Sequence, residues 1–407
     1  MPTEPQAGNA GPRGPAIPLA RWASRQLDAL ARETGSAGLA ALDGPTLLGE
    51  RGSNGGYVIN GKVSAGLGGS RLLPTRDGRW FALTIIREVD RELLPALFGE
   101  PDLDIRDADA IAAAVLRHDA DELLERGRSL GLPVACSDER PKAGAVEIMT
   151  RGAARQRPAG HKALVVDLSA IWSGPLIGHL LWQTGMDVVK VESPTRPDLI
   201  RRDDPATFDL INQGKANVLI DLADARQKAE LVALIRRADI VIESSRPRAL
   251  RHLGIDADVL VREVPGLVWL SVTGHGATGE PANWVGIGND CAVAGGLSRA
   301  LVEITGEIGF VGDAIADPLT GIIGAREALR AYRSGEAQRI GLSMSAIVAT
   351  ALAEERAFDP GLLEAELRAW GEATGKRFPC IPRRALLAEV RQPGADTRRY
   401  FPHLAPC

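Results

Sequence analysis

Cysteine is scarce in this chain, and the few cysteines present have no spacing that suggests a metal site or a disulfide framework. The 407 residues include only four of them, Cys136, Cys291, Cys380 and Cys407, and six histidines that form no metal-ligand pattern. Scattered cysteines of this kind are typical of reduced thiols in a cytosolic protein. The sequence therefore predicts a cytoplasmic protein that holds no metal.

Long apolar runs and an excess of one charge are also missing. No stretch approaches the roughly 18–20 apolar residues needed to span a bilayer, and the formal net charge is only -4. A chain without a basic field is a poor match for nucleic acid. Residues 1–18 are rich in proline and glycine and lack an apolar signal core, which predicts a disordered lead. Neither nucleic acid nor a membrane is expected as a partner.

The first positive signal is a β-α-β unit over residues 162–192. An apolar, β-branched run ends at Asp167 and leads into the turn Ser173-Gly174-Pro175. An apolar stretch at helical spacing follows, and residues 188–191 form a second strand pattern. A helix that begins beside glycine presents backbone N–H groups to an anionic ligand. Taken alone, this unit fits any doubly wound enzyme.

Strand and helix patterns alternate over residues 161–350. Candidate strands are 163–168, 187–191, 218–221, 239–242, 267–272 and 339–343. Such alternation predicts a large domain with a mostly parallel, Rossmann-like sheet and helices on both faces. Residues 351–407 predict a C-terminal helical tail, with helices at 362–370 and 384–391.

The chain before this sheet has the pattern of a smaller α+β domain, assigned to residues 19–140. Asp77-Gly78 lies between two strand-like runs, which is a strong hairpin signal. Helical patterns are present at 19–35, 91–97, 108–117 and 120–130. Residues 141–160 are interpreted as a linker. The predicted fold class is therefore α/β, with a large sheet domain and a smaller α+β domain before it.

A series of short motifs follows the β-α-β unit. They are NQGK at 212–215, VLIDL at 218–222, ESSRPR at 243–248, TGHG at 273–276, GNDCAVAGG at 288–296 and ADPLTG at 316–321. In this order and at this spacing, nearly half of the chain resembles the class III (CaiB/BaiF-type) CoA-transferases, a family that also contains 2-methylacyl-CoA racemases and carnitine CoA-transferases. The resemblance is specific for the family and says little about the substrate.

The resemblance implies an acyl-CoA:carboxylate CoA-transferase, with coenzyme A in an acyl-CoA and a carboxylic acid as its small-molecule partners. It also implies a homodimer, because small and large domains of different chains meet over the active site in relatives. The usual family order places the large domain first and inserts the small one later. Here the small-domain signature comes first, so a class III fold in rearranged chain order is expected, and an interlocked dimer stays open.

Asp290 is the residue to which the resemblance assigns the chemistry. Considered alone, an Asp between Gly288-Asn289 and an alanine-rich stretch is more typical of a helix cap. Its position matches the family's "YDxxxQAxSG"-like motif, which implies a nucleophile that forms a mixed anhydride and then an aspartyl-CoA thioester. Backbone N–H groups of residues 295–296 or 66–69 are candidates to stabilise the oxyanion. The second segment is equally well explained as a flexible connector.

Trp172 stands where some members of the family carry Gln beside the thioester. Its apolar face predicts a preference for bulky or apolar acyl groups, and ordinary core packing is the alternative. The residues predicted to contact CoA are Trp172, Arg201, Arg202, Asn212, Lys215, Arg246 and Arg248. Arginine suits phosphate because its planar fork binds two oxygens. Arg246 is the strongest candidate, because it follows strand 239–242 at the end where open α/β sheets bind ligands.

Other residues and other functions remain as alternatives. Asp317 precedes a long helix, which favours capping and domain packing over chemistry, and packing is favoured for His275 as well. A racemase of the family is expected to pair a His with an Asp, and the corresponding segment 257–263 contains no His. An acyl-CoA racemase or isomerase is thus the second hypothesis. A catalytically silent acyl-CoA-binding homologue is the third, because Ser244-Ser245 replaces the family's Asn-Phe.

Overall fold

The structure is a computed structural model that describes residues 14–53, 56–59, 61–64, 69–378 and 383–404. Most of the predicted disordered lead and the glycine segment 66–68 lie outside the described residues, as do Cys380 and Cys407. None of the helices within the described ranges has the length and apolar character to cross a membrane.

The strands of the described chain form a seven-stranded, a three-stranded and a two-stranded sheet. They are β1 (Tyr57–Val58), β2 (Gly69–Pro74), β3 (Trp80–Ile85), β4 (Val134–Cys136), β5 (Val146–Arg151), β6 (Leu164–Asp167), β7 (Asp187–Glu192), β8 (Ala216–Leu219), β9 (Ile240–Glu243), β10 (Val268–Thr273), β11 (Gln338–Ser343) and β12 (Arg377–Phe378).

The helices surround these sheets, with two short 3-10 turns at Glu50–Ser53 and Glu280–Asn283. They are α1 (Ala20–Thr34), α2 (Ala37–Ala40), α3 (Gly44–Gly49), α4 (Glu88–Glu92), α5 (Leu94–Phe98), α6 (Ala108–Val115), α7 (Ala120–Leu130), α8 (Ser173–Gln183), α9 (Leu199–Asp203), α10 (Pro205–Asn212), α11 (Ala225–Arg237), α12 (Pro247–His252), α13 (Ala257–Glu263), α14 (Gly288–Ala294), α15 (Leu297–Thr305), α16 (Ala316–Ser334), α17 (Met344–Phe358), α18 (Pro360–Glu372) and α19 (Thr397–Tyr400).

The seven-stranded sheet confirms the predicted α/β class. Its order is β5-β11-β10-β9-β6-β7-β8, and its pairs are parallel except for the antiparallel contact between β5 and β11. Successive side chains of a strand point to opposite faces. Val165 therefore packs into one core with α8 and α16, and Val166 packs into a second core with α11 and α13. Both faces of the sheet are covered.

The order of the parallel strands creates a crevice at one edge of the sheet. From β6 the chain adds β7 and β8 on one side, and then returns to add β9, β10 and β11 on the other. The connections that leave the carboxyl ends of β6 and β9 therefore diverge. In open α/β sheets, such a switch point is where ligands bind.

The small antiparallel sheet β2-β3-β4 has a core of its own. The hairpin predicted at Asp77-Gly78 is confirmed, because β2 and β3 pair antiparallel around it and Gly78 adopts a φ of 76°. Phe81 and Leu83 of β3 are fully buried against Leu123 of α7. This unit precedes the large sheet along the chain.

Two segments differ from the interpretation based on sequence. Within the predicted linker, residues 146–151 form β5, an edge strand of the large sheet that pairs with β11. Within the predicted small domain, α1 buries Trp22 and Leu27 in the same core as α8 and α16. An amphipathic pattern shows that a segment has a buried face but not which neighbour covers it. The domain boundaries themselves stay predictions.

The C-terminal tail is less helical than expected. α17 and α18 are present, but no helix covers residues 384–391. Further along the tail, residues 396–397 lie at the open edge of β8, where Asp396 Oδ2 accepts the N–H of Asn217 at 2.9 Å and Thr397 Oγ1 accepts the N–H of Leu219 at 3.0 Å. These side chains satisfy backbone groups that an edge strand otherwise leaves unpaired.

Candidate active site

A cavity of about 130 Å³ lies at the switch point of the large sheet. Its walls come from the loop after β6, from residues 244–246 after β9, from residues 272–274 at the end of β10, and from residues 284–287. Asp317, in the first turn of α16, is the one acidic side chain on these walls within the described chain. The cavity therefore combines an apolar lining with one carboxyl group and the cation Arg246.

Asp290 lies directly behind this wall, in the first turn of α14. Its side chain is fully buried. Oδ1 accepts the backbone N–H of Ile287 at 2.9 Å. Ile287 is the N-cap and Asp290 is the third residue of the helix, so Asp290 contributes a capping hydrogen bond without being the N-cap itself. Burial raises the pKa of Asp290, and His275 opposes that rise. One carboxylate oxygen is thus occupied, and Oδ2 is the oxygen left for chemistry.

Two glycines bring the backbone close to Asp290. A Cβ added at Gly274 would lie 2.5 Å from Cα of Gly286, and a Cβ at Gly286 would lie 2.6 Å from Sγ of Cys291. Any side chain at either position would force these segments apart. The two glycines therefore allow the segment after β10 and the segment before α14 to meet in front of the aspartate.

His275 faces Asp290 from the turn after β10. Its Nε2 is 3.4 Å from Asp290 Oδ2, which is long for a hydrogen bond. The ring also packs edge-on against Trp284, with centroids 6.0 Å apart. The sequence suggested packing for this histidine, and its approach to Asp290 was missed. A signal was present, because the turn TGHG follows a predicted strand at the ligand-binding end of the sheet.

A third side chain joins this pair. Sγ of Cys291 lies 3.8 Å from Asp290 Oδ2, and burial raises the pKa of this thiol well above its usual value. Among the described residues, His275, Asp290 and Cys291 are the one set of potential metal ligands whose ligand atoms all lie within 4.8 Å of one another. Structural zinc sites have four protein ligands in a tetrahedral arrangement, and this group has only three. We assign no metal to them.

Asp317 stands out among the carboxyl groups because it reaches the cavity. Its Oδ1 accepts a long hydrogen bond, 3.3 Å, from the backbone N–H of Ser173 at the start of α8. Burial raises the pKa of Asp317 to about 7, with Arg51 opposing the rise. The sequence favoured capping and packing for this residue. Its position on the wall makes it a candidate for chemistry as well.

Near the cavity, the partly buried Arg51 lies beside the buried carboxyl group of Asp313. Nε of Arg51 is 3.3 Å from Oδ2 of Asp313, and its guanidinium lies 5.5 Å from the centre of the Trp172 ring. Burial raises the pKa of Asp313 as well. No sequence pattern pointed to Arg51, because it comes from a 3-10 turn more than 200 positions before Asp313 along the chain.

The profile of CoA-transferase family III matches residues 161–376, more than half of the chain. The chain belongs to this family. The match begins just before β6 and ends after α18, so it contains the whole cavity wall described above.

Individual relatives within the CoA-transferase family are similar over shorter stretches. Succinate–glutarate CoA-transferase of Agrobacterium fabrum is 31% identical over 208 residues, which are 47% of this chain and 52% of that protein. Acetyl-CoA:oxalate CoA-transferase of Acetobacter aceti is 30% identical over 127 residues, 30% of this chain and 33% of that protein. A crystal structure of a CaiB/BaiF family protein from Brucella suis is 28% identical with a TM-score of 0.44, covering 50% of this chain and 57% of that one. The chain spans about half or less of the length of these curated relatives.

Of the predicted CoA-binding cations, only Arg246 lines the cavity. It is exposed, and none of the described residues offers it a hydrogen bond or an ion pair. Arg248 is also exposed and is the second residue of α12, outside the cavity wall. The geometry therefore keeps Arg246 as the leading candidate for an anionic part of an acyl-CoA.

The other predicted CoA-binding residues have partners within the protein. Arg201 pairs with Glu192, and Arg202 pairs with Asp203 at 2.5 Å. Lys215 is buried, and its Nζ donates to Asp167 Oδ2 at 2.8 Å, to the carbonyl of Pro175 at 2.7 Å and to Asn212 Oδ1 at 3.1 Å. All three donors of the ammonium group are therefore used inside the fold. Neither Lys215 nor Asn212 is placed to bind a CoA phosphate.

Trp172 is buried beside the cavity rather than on its wall. Its neighbours Ile171 and Ser173 line the cavity, whereas Trp172 belongs to the core and is only 2% exposed. The buried Nε1–H finds no acceptor among the described residues. A buried donor without a partner costs about 1–3 kcal/mol.

Proposed function

We propose that this protein transfers CoA from an acyl-CoA to a carboxylate through a covalent intermediate on Asp290. The observation that supports the proposal is that Asp290, in the first turn of α14, lies just behind the cavity wall formed by residues 284–287 and stands at the position of the family's nucleophile motif. An aspartate is suited to the role because it is a ready oxygen nucleophile and forms an activated anhydride. The named relatives act with succinate, glutarate or oxalate, which supports a carboxylic acid as acceptor.

The proposed reaction begins with attack of Asp290 Oδ2 on the thioester carbonyl carbon. A C–O bond forms, the C–S bond of the tetrahedral intermediate breaks, and CoA leaves as a thiolate, which gives a mixed anhydride between Asp290 and the donor acid. The thiolate then attacks the Asp290 carbonyl, which releases the donor acid and gives an aspartyl-CoA thioester. The acceptor carboxylate then attacks the aspartyl-CoA carbonyl and expels CoA as a thiolate, which forms a new mixed anhydride. Attack of this thiolate on the acceptor carbonyl gives the new acyl-CoA and regenerates the Asp290 carboxylate. Since the side chain is fully buried, the wall at residues 286–287 must yield when acyl-CoA enters.

An exchange experiment tests this function directly. Isotope-labelled free acid is incubated with its unlabelled acyl-CoA and the protein, and label is measured in the thioester. A CoA-transferase moves the label into the acyl-CoA. Absence of exchange with every donor acid tested, together with absence of acyl-CoA binding in calorimetry, would support the silent homologue instead.

Racemase or isomerase chemistry is the second candidate, and one observation favours it. The histidine expected from a racemase is absent from α13, but His275 approaches Asp290 Oδ2 at 3.4 Å from another segment. A His–Asp pair supplies two groups that accept and donate protons. Such an enzyme would exchange the α-hydrogen of an acyl-CoA with deuterium from solvent and would leave free acid unlabelled.

Replacement of Arg246 is expected to weaken acyl-CoA binding. Arg246→Ala removes the unpaired cation on the cavity wall, and a hydrogen bond to a charged group contributes about 1.5–3 kcal/mol. We therefore expect KM for acyl-CoA to rise about 10- to 100-fold with a smaller effect on kcat. Arg202→Ala is the matched control, because Arg202 is exposed and paired with Asp203. Equal KM values for both variants would refute a role for Arg246.

Trp172→Gln tests whether this side chain influences the choice of acyl group. If Trp172 borders the bound acyl chain, the amide should shift preference toward short, polar acids by about 1–3 kcal/mol. The measurement is the ratio of kcat/KM for a bulky and a short acyl-CoA in both proteins. An unchanged ratio would assign Trp172 to core packing alone, in keeping with its burial.

A homodimer in the cytoplasm remains part of the proposal. Sedimentation velocity at micromolar concentration is expected to show a species of twice the chain mass of 43.2 kDa. Observation of the monomer alone would refute the dimer.

A further inference from the structure

The most informative feature that the proposed mechanism leaves unused is the carboxyl group of Asp317. It is 6% exposed, and it is the acidic side chain that reaches the cavity from the described residues. Oδ1 accepts from the N–H of Ser173 at 3.3 Å. On the other side, a Cβ at Gly288 would lie 2.2 Å from Oδ2. The carboxyl group is therefore wedged between the starts of α8 and α14, next to the helix that carries Asp290.

The charges around this group are predominantly negative. Asp290 contributes from α14 and Asp313 from the segment before α16, whereas the Cys291 thiol on α14 stays neutral because burial raises its pKa. Arg51 approaches from the 3-10 turn, but its Nε lies against Asp313 at 3.3 Å. Arg246 is on the wall formed by the residues after β9. The partly buried guanidinium of Arg51 thus opposes the effect of burial on the pKa of two carboxyl groups, Asp313 and Asp317, and it also lies 4.0 Å from Asp204.

Burial among like charges has a consequence for protonation. A carboxylate removed from water, with other carboxylates nearby, holds its proton to higher pH. Burial raises the pKa of Asp317 to about 7, and Asp290 and Asp313 add to the rise. A carboxyl group with a pKa of about 7 carries an O–H in most molecules below neutral pH and in about half of them at pH 7. It can then donate a hydrogen bond, which a carboxylate cannot do.

We propose that Asp317 is a further catalytic residue, which in its protonated form donates a hydrogen bond to the thioester carbonyl oxygen as Asp290 attacks the carbon. This inference rests on the proposed CoA-transferase function. Negative charge develops on that oxygen in the tetrahedral intermediate, and a donor fixed in a dry site stabilises it. An ionised Asp317 would repel both the oxyanion and an incoming acceptor carboxylate.

The proton balance of this role is simple. When Asp290 attacks, the C–O bond forms and the carbonyl electron pair moves to oxygen, which accepts the hydrogen bond from Asp317. When the intermediate collapses, the C=O bond is restored, the C–S bond breaks and CoA leaves as a thiolate. Asp317 keeps its proton throughout. It donates the same hydrogen bond when the thiolate of CoA attacks the acceptor carbonyl in the second half of the reaction. No other reactant is needed.

Two substitutions at one position test the inference. Wild-type kcat/KM should fall as the pH rises through about 7, because Asp317 then loses its proton. Asp317→Asn keeps an N–H donor that does not titrate, so it should retain activity within about tenfold at pH 6 and lose the fall at higher pH. Asp317→Ala has no donor and should lose about 10²–10³-fold at pH 6. Asp313→Asn, at the neighbouring carboxyl group, should retain the fall.

Thermal unfolding and acyl-CoA binding of each variant separate a catalytic role from a structural one, since a group that only caps α16 would not change the pH profile. The inference is overturned if Asp317→Asn shows the wild-type fall with pH, or if folded Asp317→Ala keeps activity within tenfold. With label exchange intact in the wild type, either result leaves the proposed CoA-transferase function standing. If the wild-type protein shows no label exchange, both the role of Asp317 and the proposed CoA-transferase function are overturned.

Discussion

Asp290→Asn is expected to slow CoA transfer by at least about 10³-fold, because loss of a nucleophile closes the covalent route. Asparagine is preferable to alanine here. The amide oxygen can still accept the N–H of Ile287, which Asp290 Oδ1 does at 2.9 Å. Alanine would leave that buried donor unpaired at a cost of about 1–3 kcal/mol. The measurement is the rate of transfer at saturating substrates, with thermal unfolding of both proteins.

A capping aspartate away from the cavity provides the control. Asp256 precedes α13 and accepts the N–H groups of Asp258 and Val259 at 2.9 and 3.2 Å. Asp256→Asn makes the same chemical change at a helix start and should leave the transfer rate unchanged. A tenth of wild-type turnover in Asp290→Asn, with unchanged unfolding, would show that Asp290 is only a cap.

Lys215→Met is expected to lower the free energy of unfolding by about 3–5 kcal/mol, because it leaves the buried Asp167 carboxylate without the cation that pairs with its Oδ2. Lys215 and Asp167 are both buried, and their atoms Nζ and Oδ2 are 2.8 Å apart. Burial lowers the pKa of Lys215 to about 8, with Asp167 opposing the change, so the ammonium form persists at pH 7. Chemical denaturation at pH 7 measures the loss.

The exposed pair between Lys162 and Asp187 is the matched control. Its atoms are 2.6 Å apart, but the two side chains are 61% and 42% exposed. Surface pairs contribute about 0–1 kcal/mol, so Lys162→Met should change stability by no more than that. If Lys215→Met were as mild as Lys162→Met and instead raised KM for acyl-CoA, the residue would be a CoA ligand, as the sequence suggested.

The elements that sequence predicted well are those specified by local patterns. β6, β7, β9, β10 and β11 lie within one residue of their expected bounds, because buried parallel strands are short apolar runs between turn residues. The hairpin at Asp77-Gly78 has the same origin in local chemistry. β8 lies two residues earlier than predicted.

The features that sequence did not predict depend on contacts between distant segments. Lys215 follows a turn and resembles an available cation, but Asp167, nearly 50 positions earlier, takes up its charge. Arg51 and Asp313 meet only in the folded chain. The sequence around Asp317 is that of an ordinary helix start. Asp317 lines the cavity only because α16 packs against α8 and α14. Spacing along a chain does not carry that information.

Transfer of oxygen-18 to the enzyme tests the central claim most directly. An acceptor acid labelled in both carboxylate oxygens attacks the aspartyl-CoA thioester, and the bridging oxygen of the resulting anhydride remains on the aspartate when CoA leaves with the acceptor. After turnover, the account predicts oxygen-18 in the peptide that contains Asp290, at the carboxyl group itself. Label in the peptide that carries Asp317, or in no peptide despite turnover, would contradict it.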